Sequence, residues 1–368
     1  MSELTTIPAM VIAFAVTVAF MVALRPVATS IGLIDRPGGR KSHNGDVPII
    51  GGMAMFIGAL SGLAVVGTPT HATTSLILAS MLLITIGSLD DRYGIPAGVR
   101  ILVQIAAILV MTYGADLALA SLGNPFGFGE ILLGPFTLIG TLIVSITVVN
   151  AYNLVDGADG LAGILALIAL AAVAVVAGPG VAATVIALTV LSAVLGFLLF
   201  NFPAKANRSY RSFMGDAGST FLGFTVVWVT MGVSQGSEAL ISPVVGLWFA
   251  SIPVYDSLTC FVRRSMARKS PFKPGRDHFH HTLKRGGFSV RQTLAILGGL
   301  QALYATIAIV AHFAGVPDSI LFAAWAVLGL TQWMVIRAIV VQHRKYIFRL
   351  QREGRLEAYR ARRSRVLE

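Results

Sequence analysis

The chain has 368 residues, with 28 Lys or Arg against 17 Asp or Glu, so charged types make up only 12% and apolar types 55%. A soluble chain of this length would form about two domains and need roughly twice that charged share to cover them. The mean hydropathy of +0.79 and the single cysteine, Cys260, exclude disorder, a collagen repeat and an internal disulfide scaffold, leaving a polytopic membrane protein.

A membrane helix needs roughly 20 mainly apolar residues, and about eleven runs qualify. The first, 7–24, has no basic residue before it, so it is expected to be a span and not a cleaved signal. A loop carrying IDRPGGRKSH and VPIIGG leads to spans near 49–67 and 74–89, and the latter closes on Asp90-Asp91. Spans near 99–115 and 132–149 follow, then NAYNLVDGADGLAG, then Gly/Ala-rich spans near 160–178 and 181–201. FMGDAGS opens the span at 218–234, and 240–258 runs into a long basic loop, RRSMARKSPFKPGRDHFHHTLKRGG. Spans near 292–314 and 320–341 complete the set. The sequence thus divides into a polytopic transmembrane domain over 1–341 and a basic tail over 342–368.

Charge tests this count. If the chain alternates sides, Arg25, Arg36, Arg40, Lys41, Arg92, Arg100, Lys205, Arg208, Arg211, the stretch from Arg263 to Arg291 and the C-terminal residues from Arg337 to Arg365 all share one face, which then holds all 28 basic residues. The other face has Glu3, Asp116, Glu130, Glu238 and Asp318. The positive-inside rule makes the basic face cytoplasmic, so the expected fold is an all-α membrane bundle with its N-terminus periplasmic and its C-terminus cytoplasmic. The net charge of +11 fits topology and attraction to anionic lipid, and no nucleic-acid motif accompanies it.

Carboxylates are costly beside a bilayer, so their positions carry information. Asp35, Asp90-Asp91, Asp156 with Asp159, and Asp216 each stand at the cytoplasmic end of a different span, as a shared pocket between helix ends requires. Asp90-Asp91 reads either as a helix-ending turn or as a site for a hard metal, since Mg²⁺ prefers oxygen ligands. Asn150, Asn153, Asp156 and Asp159 advance by three and form one helical stripe, with Gly157 and Gly160 between them to admit phosphate oxygens; polar helix packing is the alternative. Asp216 starts a span, where a helix N-terminus holds an anion or an ordinary cap. His278, His280 and His281, beside Arg276, Lys284 and Arg285, suit a pyrophosphate or nucleotide. A zinc site lacks the ligands to complete it, and an ordinary surface loop stays open. Arg40, Lys41 and His43 suit the same phosphate work or lipid headgroups. This inventory points to phosphoryl chemistry between a soluble phosphate compound and a lipid phosphate. A lipid or sugar-phosphate transporter is the alternative, but it would need polar groups at mid-bilayer and paired repeats.

The segments DRPGGRKSH, VPIIGG, LDDR, NAYNLVDGADGLAG, FMGDAGS and SPFKPGRDHFHH together resemble the polyprenyl-phosphate N-acetylhexosamine-1-phosphate transferases, most closely their bacterial WecA-type branch. The resemblance implies transfer of GlcNAc-1-phosphate from UDP-GlcNAc to undecaprenyl phosphate, with UMP released and Mg²⁺ required (Mn²⁺ substituting), at the cytoplasmic face of a bacterial inner membrane. The product would prime an O-antigen-like cell-envelope polysaccharide. A different UDP-HexNAc or UDP-MurNAc-pentapeptide donor is the alternative within the family, and a homodimer is open. By the same resemblance Asp216, Asn153, Asp90 and Asp91 hold the metal, and Asp90, Asp91, Asp156, Asp159 and Asp216 are catalytic. Asp35, Arg40, Lys41, His43, Asn150, Asn153, Arg264, Arg276, His278, His280 and His281 are implied to bind substrate. One departure stands out: where the family pattern places an Asp before the basic residue leading into HxHH, this chain has Gly275, and an Asp follows at Asp277.

Overall fold

The computed structural model describes residues 3–36, 45–67, 70–203, 210–266, 278–355 and 357. Their order is α1 (Glu3–Ile31), β1 (Ile34–Asp35), β2 (Val47–Pro48), α2 (Gly51–Val65), α3 (His71–Tyr93), α4 (Ala97–Gly114) and a single 3₁₀ turn (Gly134–Phe136). Then come α5 (Thr137–Val155), α6 (Leu161–Ala177), α7 (Ala182–Asn201), α8 (Gly215–Ser234), α9 (Pro243–Trp248), α10 (Ser251–Met266), α11 (Phe279–Arg285), α12 (Val290–Phe313) and α13 (Asp318–Arg352). Eight of these helices are long and apolar enough to cross a membrane, and α2 and α6 are shorter apolar helices. Each span expected from the sequence has a helix at its position, with one broken in two.

That break falls inside the run 240–258, where the chain turns at Phe249-Ala250 between α9 and α10. No Gly or Pro stands at the turn itself. The freed backbone groups must find partners within the protein, because lipid offers none. Gln301, fully buried on α12, supplies them: its Nε2 donates to the carbonyls of Trp248 (3.2 Å) and Phe249 (3.0 Å), and its Oε1 accepts from Ile252 N (2.9 Å).

The centre of the bundle is α8. Its sequence, GDAGSTFLGFTVVWVTMGVS, is small or apolar on every side, the pattern of a helix enclosed all round, and nearly all of it is buried. α2, α3, α5, α6 and α7 pack around it. At the outside, α13 buries only 6% of its apolar window and runs on through Val341 as far as Arg352, so the boundary expected at 341–342 falls within one helix.

Close approach near the start of α8 depends on glycine. A Cβ at Gly52 would lie 2.3 Å from Gly218 N, and one at Gly87 would lie 2.3 Å from Ala217 Cα, so α2 and α3 reach the α8 backbone only without side chains there. The entry to α8 is pinned by backbone bonds as well: Phe213 N donates to Pro48 O (2.9 Å), and Gly51 N and Gly52 N donate to Phe213 O (2.9 Å) and Met214 O (3.0 Å). The segment VPIIGG, which begins with β2, is thus the bed on which the GDAGS turn lies.

Candidate active site

Two helix ends bring the acidic residues together. α3 stops at Gly94, which is left-handed (φ +69°) and donates its N–H to Asp90 O at 2.8 Å, so Asp90 and Asp91 occupy the last turn. Asp91 reaches across to α8, where its Oδ1 accepts from Asp216 N (2.9 Å) and its Oδ2 from Ala217 N (3.3 Å). The anion held by the α8 N-terminus is therefore a carboxylate of the protein's own, favoured by the unpaired N–H groups and dipole of a helix start.

Asp90 faces the other way. It accepts Ile95 N on Oδ1 at 2.6 Å and Arg100 Nη1 on Oδ2 at 2.5 Å, and the same Arg100 nitrogen lies 2.7 Å from Asp216 Oδ2. Arg100, at the first turn of α4, is the one site residue of this cluster that the sequence reading leaves among the topology charges. Together with Gln104, Asn150, Asn153, Asp216 and Thr220, and with Leu83 and Ile86 of α3, it lines a small recess between α3, α4, α5 and α8. Asn150 Nδ2 donates to Gln104 Oε1 (2.8 Å), and Asn153 Nδ2 to Ser219 Oγ (3.1 Å), so both amides of the expected stripe belong to this recess.

Asp156 and Asp159 separate. Asp159 pairs with Arg211, which also stacks on Phe213 at 4.9 Å. Asp156 terminates α5 and has no cationic partner among the described residues. Burial holds its carboxyl well above the usual carboxylate range, and the charges of Asp216, Asp91 and Asp159 push the same way.

The histidines reach this cluster through Gly157. His280 is 1% exposed, and its Nε2 lies 2.3 Å from where a Cβ on Gly157 would sit, so glycine here makes room for an imidazole and not for a phosphate oxygen. Neither ring nitrogen of His280 has a hydrogen-bond partner among the described residues. Burial, reinforced by His281, Lys284 and His278, holds His280 well below the ordinary histidine range. His278 stacks parallel to it with centroids 6.0 Å apart, and His281 packs at 4.1 Å. Lys284 Nζ donates to Gly157 O at 3.4 Å. A buried carboxylate outside the expected set, Asp256 on α10, meets His278 Nδ1 at 2.8 Å and accepts Phe279 N at 2.7 Å.

Of the remaining expected residues, Asp35 lies in β1 paired with Val47, and Arg264 is buried in the last turn of α10. Arg40, Lys41, His43 and Arg276 lie outside the described residues, as do Gly275 and Asp277.

Among the described residues no three His, Cys, Asp or Glu side chains form a ready ligand group for a metal ion. The donor chemistry nonetheless fits Mg²⁺, which binds through one or two carboxylates and takes its other ligands from water and substrate phosphates. Asp90, Asp91, Asp156 and Asp216 crowd together with Arg100 as the cation bridging two of them, and Asp156 has no cationic partner among the described residues.

An acidic recess and a histidine cluster that share one turn of backbone, at the ends of membrane-spanning helices, define a membrane-embedded protein built around phosphate chemistry. A model of glycosyl transferase family 4 matches residues 73–234. The undecaprenyl-phosphate alpha-N-acetylglucosaminyl 1-phosphate transferase of Salmonella typhimurium is 35% identical over 96% of this chain and 99% of its own length. Proteins of the same description from Escherichia coli K12 and Yersinia pestis are 35% and 33% identical, covering 85% and 88% of this chain and 86% and 89% of theirs. The chain belongs to this family of transferases.

Proposed function

We propose that the protein transfers GlcNAc-1-phosphate from UDP-GlcNAc to undecaprenyl phosphate, releasing UMP. The observation that carries this reading is the Asp156-Gly157 turn. The acidic recess lies on one side of it and His280 rests on the other, so a metal-bound diphosphate and a nucleotide-contacting histidine cluster have one place to meet. The names of the relatives supply the acceptor and the sugar.

The acceptor is a phosphate monoester with a second pKa near ~6, so most of it is doubly ionised at pH 7 and a general base adds little. On this reading Asp91 fixes the start of α8, and with it Asp216. Arg100 holds Asp90 and Asp216 together until substrate arrives. Asp216, Asn153 and Asp90 would hold Mg²⁺, which when bound neutralises the donor pyrophosphate and the leaving UMP. His278, His280 and His281, with Arg264 and Arg276, would contact the donor, and Asn150 and Gln104 shape the recess beside the acceptor phosphate. The rival route has an aspartate nucleophile and a phosphosugar-enzyme intermediate.

About eleven crossings follow if α2, α6 and the α9–α10 pair each count as one beside the eight long helices. The positive-inside rule then puts the site at the cytoplasmic face of the bacterial inner membrane. Detergent-purified protein given UDP-GlcNAc, undecaprenyl phosphate and Mg²⁺ should release UMP and form a lipid pyrophosphate-linked sugar without any bilayer, which a transporter would not do. Preference for another UDP-sugar in the same assay would overturn the donor assignment. Exchange of labelled UMP into UDP-GlcNAc by lipid-free enzyme would favour the double displacement.

A further inference from the structure

A carboxylate inside a membrane bundle is costly unless its oxygens are satisfied. Asp256 is 2% exposed, yet it stands on α10 within the run that the sequence reads as a span. Its two oxygens go to adjacent residues of one short segment: Oδ1 to Phe279 N, Oδ2 to His278 Nδ1. That segment begins α11, a helix of only seven residues. So short a helix does not hold itself together and depends on contacts with its surroundings. Lys284, on Gly157 O, fastens its other end. Between these two anchors stand His280 and His281.

We propose that Asp256 is a positioning residue for the donor site. Through the His278 imidazole and the Phe279 N–H it fixes α11 so that His280 sits on the Asp156-Gly157 turn. With the carboxylate as acceptor, His278 carries a proton on Nδ1 and leaves Nε2 as the free ring atom. A helix anchor alone would need no charge, since one neutral acceptor satisfies Phe279 N. The second oxygen, on His278, ties the carboxylate to the histidine cluster. α10 also packs against α5, the helix that ends at Asp156, so one element braces both halves of the site.

This inference rests on the proposed transferase reaction, and the test separates the two. Wild-type protein and Asp256→Asn, both purified in detergent, are assayed for UMP release while each substrate is varied in turn. D256N retains the shape and an acceptor for Phe279 N. It should raise the KM for UDP-GlcNAc about tenfold or more, as loss of a charge-assisted hydrogen bond does, and leave the KM for undecaprenyl phosphate within about twofold. In a double-mutant cycle with His278→Gln the two changes should be non-additive. A donor KM that does not move, acceptor and donor KM moving together, or an additive cycle would overturn the proposal. A readout that does not need D256N covers the case in which that variant does not accumulate. The ¹⁵N spectrum of wild-type protein, with the His278 signal assigned by its loss in His278→Asn, should show the Nδ1-protonated form, and an Nε2-protonated neutral ring would contradict the assignment. Wild-type protein that releases no UMP would instead defeat the reaction itself.

Discussion

Asp91 accepts the backbone N–H of Asp216 at 2.9 Å, joining two residues 125 positions apart at the ends of different helices. One carboxylate of the acidic cluster thereby sets the direction in which another points. Replacing Asp91 with Ala should remove the side-chain cap from the start of α8, costing about 1–2 kcal/mol of stability. It should also lower turnover by at least about tenfold, because Asp216 loses its placement. Thermal unfolding in detergent beside UMP release measures both. Wild-type stability and activity in Asp91→Ala would show that the cap does nothing.

Arg100 competes with any cation for Asp90 and Asp216, since one of its nitrogens contacts both. In Arg100→Ala the acidic recess loses that counter-charge. The rise in unfolding temperature on adding MgCl₂, in the absence of substrate, should therefore be larger than in wild type, because a ligand stabilises as the logarithm of one plus its concentration over its Kd. Activity should nevertheless fall. A smaller Mg²⁺ response in Arg100→Ala would mean that the guanidinium is no rival of the metal.

The position of Asp156 gives a pH dependence. Its carboxyl sits well above the usual carboxylate range through burial and the surrounding charges. The folded protein therefore binds more protons at this group than the unfolded chain, and metal-free stability falls as pH rises from about 4, the unfolded value, up through the folded one. Asp156→Asn should reduce that slope and raise metal-free stability at neutral pH, while abolishing turnover. Unfolding temperatures from pH 4.5 to 8 in the presence of EDTA test the sign, and a slope unchanged in Asp156→Asn would assign it to another group.

Gln301 carries the break in the membrane. Gln301→Leu leaves Phe249 O and Ile252 N without their side-chain partner, while Trp248 O keeps the Ser251 hydroxyl, at about 1–3 kcal/mol for each group that finds no substitute. The variant should accumulate poorly and unfold at a lower temperature than wild type. Its donor and acceptor KM should change little in whatever protein folds. Undiminished stability would show that the broken helix is satisfied by other means.

Much of this was legible in the chain, for reasons that differ by residue. The spans follow from unbroken apolar runs, and the acidic helix ends stand out because charge is scarce at membrane depth. The pairing of those ends was less visible: Asp90 and Asp91 are neighbours, yet one faces Arg100 and the other the start of α8, a division set by the rotation of α3. The break at Phe249-Ala250 has a local signal in Pro253, which lacks the N–H that would bond Phe249 O four residues back, but the glutamine that satisfies the freed groups lies some fifty residues later. Gly157 reads as a phosphate contact until His280 is seen to fill the space above it. Asp256 had a signal of its own, a lone carboxylate within the expected span 240–258. Arg100 had a weaker one, being a cation at a helix start, where the dipole favours anions instead.

The central claim is that Asp216 and the residues around it form the reacting centre. Detergent-purified wild type and Asp216→Asn, at equal amounts of folded protein, should be compared for Mg²⁺-dependent UMP release from UDP-GlcNAc and undecaprenyl phosphate. The account expects release from wild type and a loss of at least about a hundredfold in Asp216→Asn. Turnover in Asp216→Asn close to wild type, at the same Mg²⁺ concentration, would contradict it.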